Sequence, residues 1–456
     1  MTHVAVIDIG KTNAKLALVD RTDLSEIAVI TRPNRVLPGP PYPHFDVDGH
    51  WDFLLDGLAR FHREHGIDAI SITTHGACAA LLDEEGGLAA PILDYEFHGP
   101  DETTADYYAL RPPFEETGSP RLAGGLNIGA QLFWQFATDP GLKERTKTIV
   151  TYPQYWGFRL TGVAATDVTS LGCHTDLWNP HEARFSPLVD DLGIAGKLAP
   201  ARSSKEVLGP VLPEIAARTG LGPDTPVICG IHDSNASLLP HIMANEAPFS
   251  VVSSGTWTIA MSIGGRPVPL EPEKDVLINV AANGAAVPSA RFMGGREHDL
   301  ATGGPYPEAT DAQMSAVLDA GVMLLPAVVP ETGPYRGCKS RWIGSEPNAG
   351  SAERGAAVAF YLALVTRRCL ELIGHRGKII VEGPFAGNRA YLLMLSAATD
   401  CQVVPIASAT GTSQGAALLV SGKDFKSTPS SAQAITPVRD TRRLKEYAAV
   451  WHCRCT

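Results

Sequence analysis

Two stretches of this chain share one layout: an apolar β-branched run, a turn containing glycine, and a second apolar run. The first occupies residues 4–9, turns through Gly10, Lys11, Thr12 and Asn13, and continues over 14–20. The second, 249–263, carries FSVVSS through Gly255 and Thr256 into WTIAMSI. A glycine lets the chain reverse where a side chain would clash, so each stretch reads as a β-hairpin. Their separation of about 245 residues suggests that the second half repeats the layout of the first. Coincidence is the alternative, because strand–glycine–strand is a common local pattern.

At 456 residues the chain exceeds one ordinary core, and roughly 100–200 residues per domain gives two or three domains. Between the hairpins, residues 51, 54, 55, 58 and 61 are apolar on one helical face, which predicts a helix over 51–65 before a strand over 67–74. Residues 207–219 read as a proline-interrupted helix, and PVICGIHD (226–233) as a buried strand ending at His232 and Asp233. After the second hairpin come a helix at 355–374, a strand at 378–383, a helix at 391–399, a strand at 402–406 and a last helix at 414–420. Strand–helix alternation in both halves argues for an α/β fold, with domains at 1–240 and 241–456. The polar tail from about 424 reads as loop, and Cys453-x-Cys455 as a frayed end.

Composition removes several function classes. Acidic residues outnumber basic ones 49 to 38, for a formal charge of -11, and no Lys/Arg block supplies the basic face that a nucleic acid needs. Near the N-terminus the apolar run breaks at Asp8, so no signal peptide is expected, and no stretch approaches the ~20 apolar residues of a membrane span. Eight scattered cysteines suit reduced thiols in a cytoplasmic protein, and no second Cys/His pair completes a metal set with Cys453 and Cys455.

Four elements could carry chemistry. In Asp8-Ile-Gly-Lys-Thr-Asn-Ala-Lys15, the turn amides near Gly10 suit phosphate oxygens, Thr12 and Asn13 add short donors, and Lys11 or Lys15 adds charge. Asp8 could hold Mg²⁺ through water, since that ion takes one or two carboxylates plus phosphates; an ordinary hairpin with a charged turn is the alternative. Ser253-Ser-Gly-Thr-Trp257 offers Gly255 and Thr256 in the same way. In Gly230–Ala236, Asp233 reads either as a helix N-cap or as a base for a substrate hydroxyl. Glu382–Asn388 and Gly411–Ala417 are glycine-bearing strand–helix turns, suited to the flat face of a nucleoside or to close helix–sheet packing.

Taken in this order, the four elements resemble the FGGY carbohydrate kinases of the actin-like ATPase superfamily, over essentially the whole chain. The resemblance implies two actin-like (ribonuclease H-like) domains with a central cleft, ATP and Mg²⁺ as cofactors, and cleft closure on a small substrate. It makes Asp8–Lys15 the first phosphate motif, with Asp8 on the metal, and Ser254–Trp257 the second. Asp233, in the GxHD pattern, becomes the catalytic base beside His232. Gly383, Pro384, Asn388 and Gly411 fall in the adenosine motifs, while His75, Gly76, Glu96 and Gln131 fall where the sugar is bound. Read without the family, His75 is a buried strand-end histidine and Glu96 an ordinary loop acid.

HD-x-x-A and SGTW look most like the L-rhamnulokinase and L-fuculokinase branch. The expected activity is therefore ATP-dependent phosphorylation of a ketose or deoxyketose such as L-rhamnulose or L-fuculose. A glycerol, erythritol, xylulose or ribulose kinase is the alternative, followed by a non-catalytic actin-like sensor. Expected partners are a sugar or polyol, with no nucleic acid and no membrane; a homodimer is left open. Three departures stand out: Lys15 in place of arginine, EGPFAGN with Pro384 removing an N–H, and DYEFHGPD (94–101) without an Asp-x-Arg-Thr pattern.

Overall fold

The computed structural model describes residues 2–406, 411–420 and 442–455. It divides into two compact units. The first runs to Met243 and also takes Ile278–Ala286 and the helix Thr412–Leu418; the second takes the rest of the described residues. The expected boundary at 240 thus lies three residues short of Met243, but the division is not continuous along the chain.

In the first unit, His3–Ile9 (β1) pairs antiparallel with Asn13–Asp20 (β2), which pairs with Glu26–Pro33 (β3). On its other side β1 runs parallel to Ala69–Thr74 (β4), and β4 to Pro226–Ile228 (β5). Side chains alternate across the sheet as a period of two requires. Ala5, Ile7 and Ile9 of β1 join a core with Leu54, Leu58 and Phe61 of the helix Val47–His65. Val4 and Val6 face the other way, onto Ala236, Ala416 and Ala417. Helices therefore cover both faces, which is what strands this apolar need.

The strand expected over 226–233 is broken. Gly230, at φ +93°, interrupts it, and Ile231–His232 resumes pairing with β4. A Cβ at 230 would lie 2.7 Å from the Ile72 carbonyl oxygen, so only glycine fits this step. The region 207–219 also differs from expectation: Val207–Pro210 is a strand, and the helix starts at Pro213 and runs to Thr219. Pro213 lacks an N–H, a loss tolerated at the start of a helix and not inside one.

The second unit repeats the strand pattern. Phe249–Ser254 (β6) pairs antiparallel with Thr258–Ile263 (β7), and β7 with Ala286–Phe292 (β8). β6 runs parallel to Lys378–Glu382 (β9), and β9 to Val403–Ile406 (β10). Each unit thus has two antiparallel neighbours on one side of its first strand and two parallel ones on the other, as the paired hairpins suggested. The buried helix Ala352–Leu372 fills the core, with Tyr391 and Leu395 of Arg389–Thr399.

The C-terminus is a helix, Arg442–Cys455, and not a frayed end. Trp451 is buried with its Nε1–H donating to the Leu324 carbonyl at 2.7 Å, and the Tyr447 hydroxyl donates to the Val322 carbonyl at 2.7 Å. The expected loop from about 424 lies outside the described residues. No helix among those residues is long and apolar enough to cross a membrane, and none of the eight cysteines forms a disulfide.

Candidate active site

The chemistry-bearing residues of the first unit gather at one edge of its sheet because the strands are in register. Asp8 of β1 stands opposite Thr73 of β4, and His232 stands opposite Thr74. Asp8, His75 and Asp233 thus lie at the C-terminal ends of neighbouring parallel strands, where open α/β sheets bind ligands.

Asp8 is buried, and burial, set against its contacts with Thr412 and Lys15, raises its carboxyl above the usual range; nearby Asp233 adds to the rise. Its Oδ2 accepts from the Thr412 hydroxyl and, at 3.2 Å, from Ser413, while Lys15 Nζ stands 3.4 Å away. Among the described residues no three His, Cys, Asp or Glu side chains cluster as a metal site. One carboxylate with hydroxyl neighbours still fits Mg²⁺, which leaves most of its shell to water and phosphate.

The turn after Asp8 is closed by Gly10 N–H donating to the Asn13 carbonyl at 2.9 Å. Asn34 holds it from beneath: its N–H donates to the Thr12 carbonyl and its Nδ2 to the Gly10 carbonyl, both at 2.8 Å. His50 Nε2 in turn pairs with Asn34 Oδ1 at 2.8 Å. The sequence reading missed Asn34 and His50, since nothing local to either residue points to a turn more than 20 residues away. Thr12 and Asn13 are exposed. Lys11 turns away from the turn it belongs to: its ammonium contacts Asp94, lies 3.1 Å from Glu96 and sits over the Tyr95 ring at 4.7 Å. Lys11, expected among the phosphate ligands, is thus brought together with Glu96, expected on the sugar side.

His75 is enclosed by the rings of Phe45, Tyr95 and Tyr152, with centroids 5.0 to 5.1 Å away. Its Nδ1 meets the Gly76 carbonyl at 3.0 Å, and its buried Nε2 has no partner among the described residues. Gly76 abuts His232, whose Nε2 would lie 2.6 Å from a Cβ placed there. Gln131 is buried, with its Nε2 donating to the Ala77 carbonyl at 2.6 Å and also to that of Gly125. Its amide donors therefore serve the protein's own backbone.

Asp233 opens the helix Asp233–Ala244 and keeps 29% of its side chain exposed. Ser234 N–H at 2.5 Å, the Ser234 hydroxyl at 3.2 Å and His232 Nε2 at 3.2 Å all meet Oδ1. Burial works against charging His232, but Cys173 and Asp233 together push its imidazole up to about 9. Burial likewise penalises the Cys173 thiolate, but His174 and His232 bring the thiol down to about 5. No local pattern pointed to Cys173, which lies in a loop between short elements.

Burial, with Arg32 beside His50, pushes His50 down to about 4, and burial pushes His75 down to about 4. Groups so depressed stabilise the fold above their ordinary value of about 6.5 and lose that contribution as pH falls through about 4. His232 is raised and Cys173 beside it is lowered, so between about 6.5 and 9 the loss at the imidazole is offset by the gain at the thiolate, and the pair's contribution is lost as pH falls from about 6.5 through about 5. Urea midpoints should therefore hold from near neutrality to about pH 9 and fall between pH 6.5 and 4. A flat acid limb would show that the two histidines do not bury as neutral rings.

In the second unit, a cavity of about 800 Å³ is lined by Gly255, Thr256, Pro384 and Asn388, all expected nucleotide residues. Gly383, at φ +78°, brings its backbone onto β6, and a Cβ there would lie 1.9 Å from the Ser254 carbonyl oxygen. Asn388 also caps the helix Arg389–Thr399, its Oδ1 accepting from Tyr391 N–H at 3.1 Å. Gly411 is not on this wall. It precedes the helix Thr412–Leu418, which packs on the first unit beside Asp8 because Gly415 can approach the Ala236 carbonyl, where a Cβ would stand 1.8 Å away.

The sequence reading missed Gly295, His298 and Tyr306 on the cavity wall. Gly295 lets the helix Gly294–Thr302 start against the Gly255 carbonyl, 2.2 Å from a built Cβ, and His298 Nε2 pairs with the Tyr306 hydroxyl at 2.8 Å. The signal was present: a strand followed by Gly-Gly and a helix, the same pattern that marked the other turns.

Residues 3–240 match the N-terminal domain of the FGGY family of carbohydrate kinases, and 246–429 match the carbohydrate kinase FGGY C-terminal domain. The chain belongs to the FGGY family of carbohydrate kinases. The crystal structure of a carbohydrate kinase from Novosphingobium aromaticivorans is similar with a TM-score of 0.91 and 37% identity, covering 99% of this chain and 100% of that one. An L-fuculokinase from Salmonella typhi is 27% identical over 278 residues, 58% of this chain and 57% of that protein. A rhamnulokinase from Bacteroides thetaiotaomicron is 24% identical over 264 residues, 56% of this chain and 53% of that protein. The match spans little more than half the length of these two curated relatives. The fold is the expected α/β one, with two actin-like domains.

Proposed function

We propose that this chain is an ATP-dependent kinase that phosphorylates a hydroxyl of a small sugar, a ketose or deoxyketose such as L-rhamnulose or L-fuculose. The observation that carries the reading is Asp233, a part-exposed carboxylate at the sheet edge that also bears Asp8. Its three hydrogen-bonding neighbours converge on Oδ1, which supports Oδ2 as the atom that takes the acceptor's proton. In a loose phosphoryl-transfer transition state the proton moves late, and a weak carboxylate base is enough. The imidazole of His232 fixes the carboxylate from one side. A non-catalytic sensor would need neither this base nor Asp8.

The first unit supplies the acceptor residues, the base and the turn Gly10–Asn13, whose amides suit phosphate oxygens. Asp8 would hold Mg²⁺, which when bound supplies positive charge against the donor's phosphates. The second unit supplies the cavity, where Pro384 and Asn388 line a space for the nucleoside and Gly255, Thr256 and the opening of Gly294–Thr302 offer backbone amides to phosphate. Reduced cysteines fit a cytoplasmic setting.

A coupled ADP-release assay tests this reading with L-fuculose, L-rhamnulose, D-xylulose and glycerol as acceptors. Acceptor-dependent ADP release with one of the two deoxyketoses preferred is the expected result. Preference for glycerol or D-xylulose would keep the kinase and replace its substrate. Silence across the panel, with ATP bound, would remove the kinase reading.

A further inference from the structure

We propose that Lys11 couples the two substrates: its ammonium is held by Asp94 and Glu96 until acceptor hydroxyls take over those carboxylates, which releases the charge to the donor's phosphate. This rests on the kinase reading above and adds a positioning residue to it.

The backbone of Lys11 belongs to the phosphate turn, yet its side chain reaches an acidic loop more than 80 residues away in sequence. The Asp94 side chain is only 9% exposed, and a carboxylate so placed needs a partner. Lys11 is that partner, with the Glu96 N–H donating to Asp94 Oδ1 at 3.2 Å. Glu96, at 63% exposed, binds the ammonium from the solvent side, where an ion pair is worth little. Tyr95 and Phe45 complete the seat, their ring centroids 4.7 and 5.4 Å from Nζ.

This seat can be exchanged. Sugar hydroxyls donate hydrogen bonds to carboxylates and so compete for the same oxygens as the ammonium. A lysine's flexible four-carbon stem lets the charge move several ångströms with the turn fixed. The displaced charge also has a destination. The charged groups at that edge are already matched: Lys15 is engaged by Asp8 at 3.4 Å and Glu26 at 3.2 Å, and His232 by Asp233 at 3.2 Å. A phosphate approaching that edge gains a further side-chain cation only when Lys11 leaves its seat. Acceptor binding therefore raises donor affinity, and by reciprocity donor binding raises acceptor affinity.

The test is calorimetric titration of the full chain with AMP-PNP and Mg²⁺, with and without the acceptor that gives most ADP release in the panel above. In the wild type the acceptor should tighten AMP-PNP binding about fivefold or more. In Lys11→Met, which keeps the stem without the charge, that ratio should fall to near one. Glu96→Gln, which loosens the seat, should tighten acceptor-free AMP-PNP binding about two- to fivefold; an ammonium that merely staples the turn to the loop predicts no such gain. A coupling ratio of one in the wild type, a ratio that survives in Lys11→Met, or unchanged acceptor-free affinity in Glu96→Gln would each overturn the proposal while leaving a working kinase. A panel that releases no ADP would instead remove the kinase reading, and this inference with it.

Discussion

Replacing Asp233 with asparagine should lower turnover about 10²–10⁴-fold while AMP-PNP still binds, the loss typical of a positioned base. Asparagine keeps an oxygen for Ser234 N–H and His232, so the opening of the helix Asp233–Ala244 is preserved. Alanine should cost the same activity and about 1 kcal/mol of stability besides, because the helix loses a polar group at its first turn and the imidazole of His232 loses its neighbour. The pair of variants separates chemistry from folding. Steady-state ADP release, AMP-PNP titration and a urea melt on both proteins decide the matter. Near-normal turnover in either variant would take Asp233 out of the mechanism.

Gly383→Ala should destabilise the second unit by more than about 3 kcal/mol, combining a backbone region open only to glycine with a hard overlap. Gly383 has φ +78° and ψ -164°, and its new Cβ would fall 1.9 Å from the Ser254 carbonyl oxygen. Ser254 cannot yield freely. Its hydroxyl donates to the Glu382 carbonyl at 2.5 Å and accepts from Phe385 N–H at 3.0 Å, tying β6 to the wall of the cavity. Four residues on, Gly387 has no atom within 4 Å of a built Cβ. Gly387→Ala should therefore change stability by less than about 0.5 kcal/mol. Equal urea midpoints for the two variants would mean that the close approach at 383 relaxes at little cost.

The sequence made the strand framework legible because its signals are local. Both hairpins, the strand over 67–74, the helix Val47–His65 and the strand Lys378–Glu382 announce themselves by period and by glycine. What stayed hidden was set by partners far along the chain. The turn at Gly411 reads locally like the one at Gly383, but the small residues of Thr412–Leu418 let that helix sit on β1 and β4, where the Ser71 hydroxyl donates to the Ala416 carbonyl at 2.7 Å. The proline-rich stretch 207–219 carried apolar residues at helical spacing, yet Val207–Pro210 is bound as a strand by β5. Asp8, His232 and Asp233 were legible as strand ends. The seat of Lys11 on Asp94 and the closeness of Cys173 to His232 were not, because no local spacing encodes a contact between a turn and a distant loop.

The helix Thr412–Leu418 imposes an order on biosynthesis. Val4 and Val6 are made roughly 400 residues before the helix Thr412–Leu418 that helps to cover them. At about 5–20 residues per second the gap is roughly 20–80 s. Through that interval this apolar face of β1 lacks the helix that packs on it. The same delay keeps Asp8 without the hydroxyls of Thr412 and Ser413.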